Sequence, residues 1–438
     1  MAAITESGPE GSGLAGSVLE GSGANGAMDD PRKPAFRIGA KALARALDDV
    51  TDVAAPAGKS TVPILTMVRL AVADGVLTLA GSDLDQWIIR SLPTDDRAVS
   101  DPAWRGTIRP FAVCVPARGL RAIVKQIEPD ALIVVTGPQG GESRVTISAG
   151  RSRFRLACLP EADFPMPNAS DRSAGFAMEA GALHAVLAQV RHAISSEETR
   201  YYLNGVFCHA EGLEQRFAAT DGHRLARFAH PAPDGAAVFP AAIIARRTVA
   251  VLDGLLAAAA KAGDADKDTR GPALVQVESD ADGRVIRWDM PAADGGDVAL
   301  IAKTIDGQFP DYDRVIPADP PNVLAVDRAA LIAAIGRMAA VCSDKTRVIA
   351  LDLANGVARL STSSPELGDA TEDLPCRYDG DPIGTAFNAD YWRGCLAALG
   401  SDRVAMKFHD GAGPVLIGPE GAGDDGCGLV QVLMPVRP

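Results

Sequence analysis

Ala219-Thr220-Asp221-Gly222-His223-Arg224-Leu225-Ala226 is the stretch on which the reading of this chain turns. It follows Thr199-Arg200-Tyr201-Tyr202-Leu203-Asn204-Gly205 at a spacing that suits one strand–turn–strand unit. An imidazole and a guanidinium beside a carboxylate invite a catalytic reading of Asp221, His223 and Arg224. The plainer reading is a hairpin turn on Asp221-Gly222, in which glycine supplies the positive φ. Elsewhere the sequence has no Gly-x-Ser-x-Gly elbow, no His-Glu-x-x-His, no phosphate loop and no second acid–base cluster. No catalytic residue, metal ligand or cofactor is therefore expected.

At 438 residues the chain exceeds one core, and its length suggests about three domains. No apolar run approaches the roughly 20 residues that span a bilayer, and the N-terminus lacks the basic start and apolar core of a signal peptide. Seven scattered cysteines, none in a Cys-x-x-Cys pair, favour reduced thiols in a cytoplasmic protein over a disulfide or zinc framework. The net charge of −13 argues against a protein that coats nucleic acid, though not against one that meets DNA through a locally basic face.

Residues 1–35 are rich in Gly, Ser and Ala and too poor in apolar side chains to offset their ordering entropy, so a disordered tail is expected. Beyond it one layout recurs three times. A short strand enters an Ala/Leu helix near Leu43, Leu183 and Leu331, and a hairpin then turns at Gly75, Gly212 or Gly356. A second helix is expected to open at Pro116, Pro240 or Asn388. The near-equal offsets predict a tandem triplication, α+β in class, with antiparallel sheets and two helices per copy. The six helix windows hold 13 Lys/Arg against 9 Asp/Glu, an excess of about 4, which leaves about −17 on the rest of the chain.

Further segments carry a resemblance. Arg151-Ser152-Arg153-Phe154 leads through Leu159-Pro160 to Asp163-Phe164-Pro165, Phe309-Pro310-Asp311-Tyr312-Asp313-Arg314-Val315-Ile316-Pro317 follows, and the chain ends Val432-Leu433-Met434-Pro435-Val436-Arg437-Pro438. Together with the two opening stretches, and in the same order, these resemble the bacterial DNA polymerase III beta subunit (beta sliding clamp) family over residues 36–438.

The resemblance implies three clamp domains, near 36–170, 174–317 and 322–438, and a head-to-tail ring dimer. Its implied function is a non-enzymatic processivity factor, loaded by an ATP-dependent clamp loader, that encircles double-stranded DNA without sequence preference. DNA polymerase III and other clamp-motif proteins would dock between domains 2 and 3, on Leu203, Thr220, Gly222, His223, Arg224, Leu225, Pro310, Arg314, Val315, Pro414, Val432, Leu433, Met434, Pro435, Val436 and Arg437. Lys59, Tyr201 and Tyr202 are implied DNA contacts, and Arg118, Arg121, Lys125, Arg246 and Arg247 are candidates from the helix windows. The alternative is a divergent paralogue serving a specialised polymerase or repair complex, to which the tail, Glu198 and the terminal Pro438 point. The implied location is the cytoplasm, at the nucleoid during replication, with no membrane contact.

Overall fold

Three times along the chain a strand runs without a loop into a helix: β1 (Phe36–Gly39) into α1 (Ala40–Val53), β9 (Arg172–Glu179) into α3 (Ala180–Val190), and β17 (Asn322–Asp327) into α5 (Arg328–Ala339). The computed structural model describes residues 35–55, 60–95, 111–138, 143–168, 172–265, 271–342, 347–421 and 428–436. The expected tail thus lies almost wholly outside the described residues. Three strands follow each of these helices: β2 (Met67–Ala73), β3 (Val76–Ser82) and β4 (Gln86–Pro93); β10 (Gly205–Glu211), β11 (Glu214–Thr220) and β12 (Arg224–Pro231); β18 (Val348–Ala354), β19 (Val357–Ser364) and β20 (Gly368–Pro375).

The pattern then repeats inside each copy. β5 (Phe111–Pro116), α2 (Ala117–Lys125), β6 (Leu132–Thr136), β7 (Arg144–Ala149) and β8 (Ser152–Ala157) complete the first. β13 (Ala242–Ala245), α4 (Arg246–Ala265), β14 (Leu274–Asp280), β15 (Val285–Pro291) and β16 (Asp297–Lys303) complete the second. β21 (Ile383–Asn388), α6 (Ala389–Ala397), β22 (Arg403–Phe408), β23 (Val415–Pro419) and β24 (Leu429–Leu433) complete the third. Three tandem β-α-β-β-β doublets, with six helices among the described residues, are the α+β architecture the spacing predicts.

Local chemistry explains the elements. The first hairpin of copies one and three turns on Asp74-Gly75 and Asn355-Gly356, all four residues at positive φ, the primed turn whose twist suits antiparallel strands. In α1, Ala40, Leu43, Ala46, Leu47, Val50 and Val53 are buried at helical spacing, so one face covers β3 and β4. Pro116 and Asn388 cap helices as expected, Asn388 Oδ1 accepting from the N–H groups of Asp390 and Tyr391.

Pro240 does not open a helix: α4 begins at Arg246, because Ala242-Ile243-Ile244-Ala245 forms a strand against β10 first. The β-branched pair gains more by burial between sheet and helix than by helix formation. The same helix runs on through Ala257 to Ala265.

The sheets cross the boundaries between copies. One has the order β5-β2-β3-β4-β16-β15-β14-β9, joining copies one and two through β4 and β16. A second, β13-β10-β11-β12-β24-β23-β22-β17, joins copies two and three through β12 and β24. The remaining sheets, β1-β6-β7-β8 and β20-β19-β18-β21, have four strands each. Helices pair α1 on α2, α3 on α4 and α5 on α6.

Candidate functional site

The quoted stretch is the turn between β11 and β12, and its side chains are occupied with building it. Thr220 Oγ1 accepts from Gly222 N–H and donates to the Arg224 carbonyl. Asp221 Oδ1 accepts from the N–H groups of His223 and Arg224 at 2.9 and 3.0 Å, and Oδ2 accepts from Arg224 Nε at 3.1 Å. Gly222 has φ 87°, and a Cβ there would fall 2.8 Å from Arg200 Nη1. Asp221 is thus a turn carboxylate held by Arg224, and the catalytic reading of Asp221, His223 and Arg224 loses its orienting acid. His223 instead stacks on Tyr391 (centroids 5.6 Å apart, 19° between planes), with the Arg224 guanidinium 4.6 Å from the same ring.

Pairing of β12 with β24 sets Leu225 opposite Val432 and Arg224 opposite Leu433. Side chains alternate along a strand, so the two terminal residues part company. Val432 joins Leu203, Leu225, Ala218, Ile243, Phe309 and Tyr312 in one apolar cluster, whereas Leu433 is buried in the separate core of the third copy. Leu433 is therefore corrected from groove wall to core residue. Phe309 stacks on Phe207 at 4.9 Å, and Tyr312 hydroxyl meets His209 Nε2 at 2.8 Å. Burial pushes the Tyr312 phenol up to about 12, which keeps it a neutral partner there.

Above this floor Met434 is exposed, its N–H donating to the His223 carbonyl at 2.8 Å. Val436 N–H donates to the Ala386 carbonyl, and Pro435, Val436 and Pro414 are half-buried. Pro310, Arg314 and Val315 are exposed, Arg314 paired with Asp311 at 2.7 Å. Arg437 lies outside the described residues.

Behind the turn, a cavity of about 540 Å³ opens toward the helices between Arg191, His192, Glu197, Arg224, Arg246 and Tyr391. Burial, reinforced by the Arg224 charge, lowers His192 to about 4, so its ring is neutral at physiological pH. Two residues absent from the sequence-based set belong here. Tyr391 carries both the His223 stack and the Arg224 contact, and Arg200 Nη2 donates to the Asp221 carbonyl at 3.2 Å. Arg200 stood inside a quoted stretch; Tyr391 lies 168 positions from His223 and had no local signal.

The expected DNA contacts scatter over the helices. Within the observed helix bounds the bases number 11 against 6 acids, so the excess holds. Much of that charge is engaged: Arg121 and Lys125 share Asp48, Arg247 pairs with Asp83, and Arg246 donates to the carbonyls of Ile194 and Ser195. Arg118 is exposed on α2. Tyr201 and Tyr202 form a short 3-10 turn with Leu203, edge to face at 5.9 Å, and Tyr201 is 53% exposed. Lys59 lies outside the described residues.

Comparison with known proteins accounts for nearly the whole chain. Family models for the DNA polymerase III beta subunit match in order: its N-terminal domain at residues 35–168, its central domain at 177–264 and its C-terminal domain at 313–437. The beta sliding clamp of Caulobacter vibrioides is 34% identical over 400 residues, covering 90% of this chain and 98% of the relative. That of Escherichia coli K12 is 32% identical over 380 residues, 87% and 94% of the two chains. Among solved structures, the sliding clamp of Bartonella birtlesii bound to griselimycin superposes with a TM-score of 0.80 at 30% identity, covering 92% of this chain and 99% of its own.

Proposed function

The chain belongs to the bacterial DNA polymerase III beta subunit family, the beta sliding clamps, and from that premise we propose that the groove around Leu225 and Val432 is where it holds its partner proteins. Like its family it is a non-catalytic processivity factor: two copies form a ring on duplex DNA, a clamp loader places it there, and the polymerase is tethered to it.

One observation carries the groove reading. Segments 203, 218–225, 309–312 and 432, far apart in sequence, meet in a single apolar floor beside an exposed methionine and a guanidinium. An extended peptide with apolar side chains finds burial on that floor, orientation from His223 and Arg224, and a thioether that repacks for different partners. The test removes Met434 to Pro438 and measures binding of a fluorescein-labelled clamp-motif peptide by anisotropy. Binding weakens at least tenfold while the circular dichroism spectrum is unchanged; unchanged affinity would place the docking site elsewhere.

The sheet orders suggest how the ring closes. The joined halves at the second junction read β13-β10-β11-β12 and β24-β23-β22-β17, and the unjoined sheets have the matching orders β21-β18-β19-β20 and β8-β7-β6-β1. Pairing β20 of one protomer with β8 of its partner would make a third continuous sheet, head to tail. The charges suit it: Arg151, Arg153 and Arg155 lie in or beside β8, and Asp369, Glu372 and Asp373 lie in β20.

Domain limits near 36–170, 174–317 and 322–438 follow from this reading. DNA is met loosely and without sequence preference by the basic helix faces, Tyr201, Tyr202 and Lys59, at the nucleoid. Because each phosphate contact adds salt dependence and resists sliding, few tight contacts serve the task. Lys59→Glu lowers retention on nicked circular DNA, most at low salt; retention equal to wild type across the salt series would discard Lys59 as a contact. No helix among the described residues is long and apolar enough to cross a membrane.

A further inference from the structure

Three side-chain hydrogen bonds of the Asp221 turn recur at the other junction of the chain. There β3 and β4 are joined through Asp83-Leu84-Asp85. Ser82 Oγ accepts from Leu84 N–H as Thr220 does from Gly222, and Asp83 Oδ1 accepts from the N–H groups of Asp85 and Gln86 as Asp221 does from His223 and Arg224. Leu84 has φ 80° where Gly222 has 87°.

The register carries the match onward. Trp87 lies opposite Ile301 across β4 and β16, as Leu225 lies opposite Val432 across β12 and β24. Cys114 bridges to Leu159 as Ile243 bridges to Ile305, and Ala55 N–H donates to Leu65 as Ser195 N–H donates to Leu203. Ala80, Cys114 and Phe164 form an apolar cluster there, in the places of Ala218, Ile243 and Phe309. Three of the seven floor residues of the second junction thus have clustered counterparts at the first.

What differs is the side chain that follows the turn. Where the second junction has Leu225, the first has Trp87, 7% exposed, its indole N–H donating to the Pro165 carbonyl at 2.6 Å and so reaching the connecting segment opposite. Lys303 Nζ lies 6.0 Å from the indole centroid and pairs with Asp85 at 3.3 Å, which closes the rim. An indole fills space that an isobutyl group leaves open, and its donor is satisfied by the far wall.

We propose that Trp87 plugs the first-junction groove and thereby holds each chain to one docking site for extended hydrophobic peptides. The proposal rests on the reading of the second groove given above. A partner gripping the first junction would sit at a different place on the ring, so the plug also fixes where partners stand.

The test titrates the full-length chain with a fluorescein-labelled extended peptide bearing alternate Leu and Phe side chains, following anisotropy for affinity and isothermal titration for stoichiometry. Wild type takes one peptide per chain. Trp87→Leu raises this to two. Leu225→Trp, which transplants the plug, weakens binding at least tenfold. Trp87→Leu remaining at one peptide per chain, or Leu225→Trp binding as wild type does, would overturn the proposal; should Trp87→Leu not fold, the Leu225→Trp arm decides alone. Wild-type binding that survives loss of residues 434–438 removes the second-groove reading itself, and this inference with it, and that result is distinct from a failed plug.

Discussion

Arg90 sits in the seam between the first two copies with its side chain 1% exposed, facing Asp294 at 2.5 Å and Asp49 at 3.1 Å. Two carboxylates share one guanidinium, and Asp294, itself 6% exposed, takes it through both oxygens. Asp49 keeps too little of the charge to offset its own burial, which lifts its carboxyl to about 6 despite the nearby arginine. The folded chain therefore holds the Asp49 proton where the unfolded chain has released it. By linkage this favours folding at low pH, and stability falls as pH rises through about 4 to 6. Asp49→Asn lacks that slope; denaturant melts should show it gaining about 1–2 kcal/mol on wild type between pH 4.5 and 7, the full shift being discounted for partial exposure. Arg90→Met leaves the buried Asp294 and the half-buried Asp49 unpaired and costs about 3–5 kcal/mol at pH 7 in the same assay. At the Asp221 turn, Gly222→Ala meets both positive φ and Arg200, so a loss of about 1–2 kcal/mol is expected. Leu84→Gly, at the matching position, relieves backbone strain and is close to neutral or stabilising in the same melts. This turn was legible from Asp-Gly alone, because its chemistry is local. The stack of Tyr391 on His223 was not, since only the third dimension joins residues so far apart.

The terminal strand shows what one element contributes. β24 lies inside an eight-stranded sheet with β12 on one side and β23 on the other. Its odd and even residues serve different masters: Val432 floors the groove and Leu433 fills the third core. A chain ending at Leu433 should keep its thermal transition, whereas one ending at Gly428 should lose the third copy's cooperative melting in calorimetry, because the strand that closes its core is gone. Helix positions were readable from the 3.6 period, and Asn388 from its cap chemistry. The start of α4 was not, because the Ile243-Ile244 strand preceding it is decided by pairing with β10, a tertiary gain that overrides local preference.

At the scale of the molecule, triplication was legible because equal offsets between unlike features survive divergence of the residues themselves. Which strands would cross from copy to copy was hidden, since antiparallel strands of similar pattern can pair in several orders. The remaining edges give a test of the ring. Arg153→Glu with Arg155→Glu should put like charges across the seam and shift sedimentation from dimer to monomer, and Asp369→Arg with Asp373→Arg in the same chain should recover the dimer. The rescue is weaker above about 0.5 M salt, where exposed pairs are screened.

The two junctions within a chain are covalently backed sheets, one of them pinned by Arg90. A protomer can be regarded as a stiff half-hoop whose joints resist flexing because bending them would shear many ladder bonds at once. On the β8–β20 pairing proposed above, the joint between protomers would have the same ladder without a peptide link behind it. Force applied there peels its hydrogen bonds one after another from a free end, as a zipper opens, at far lower load than shearing a whole row. On that pairing the hoop would part at its clasps before its covalent joints, and a machine that prises it open would need only to lever on one strand.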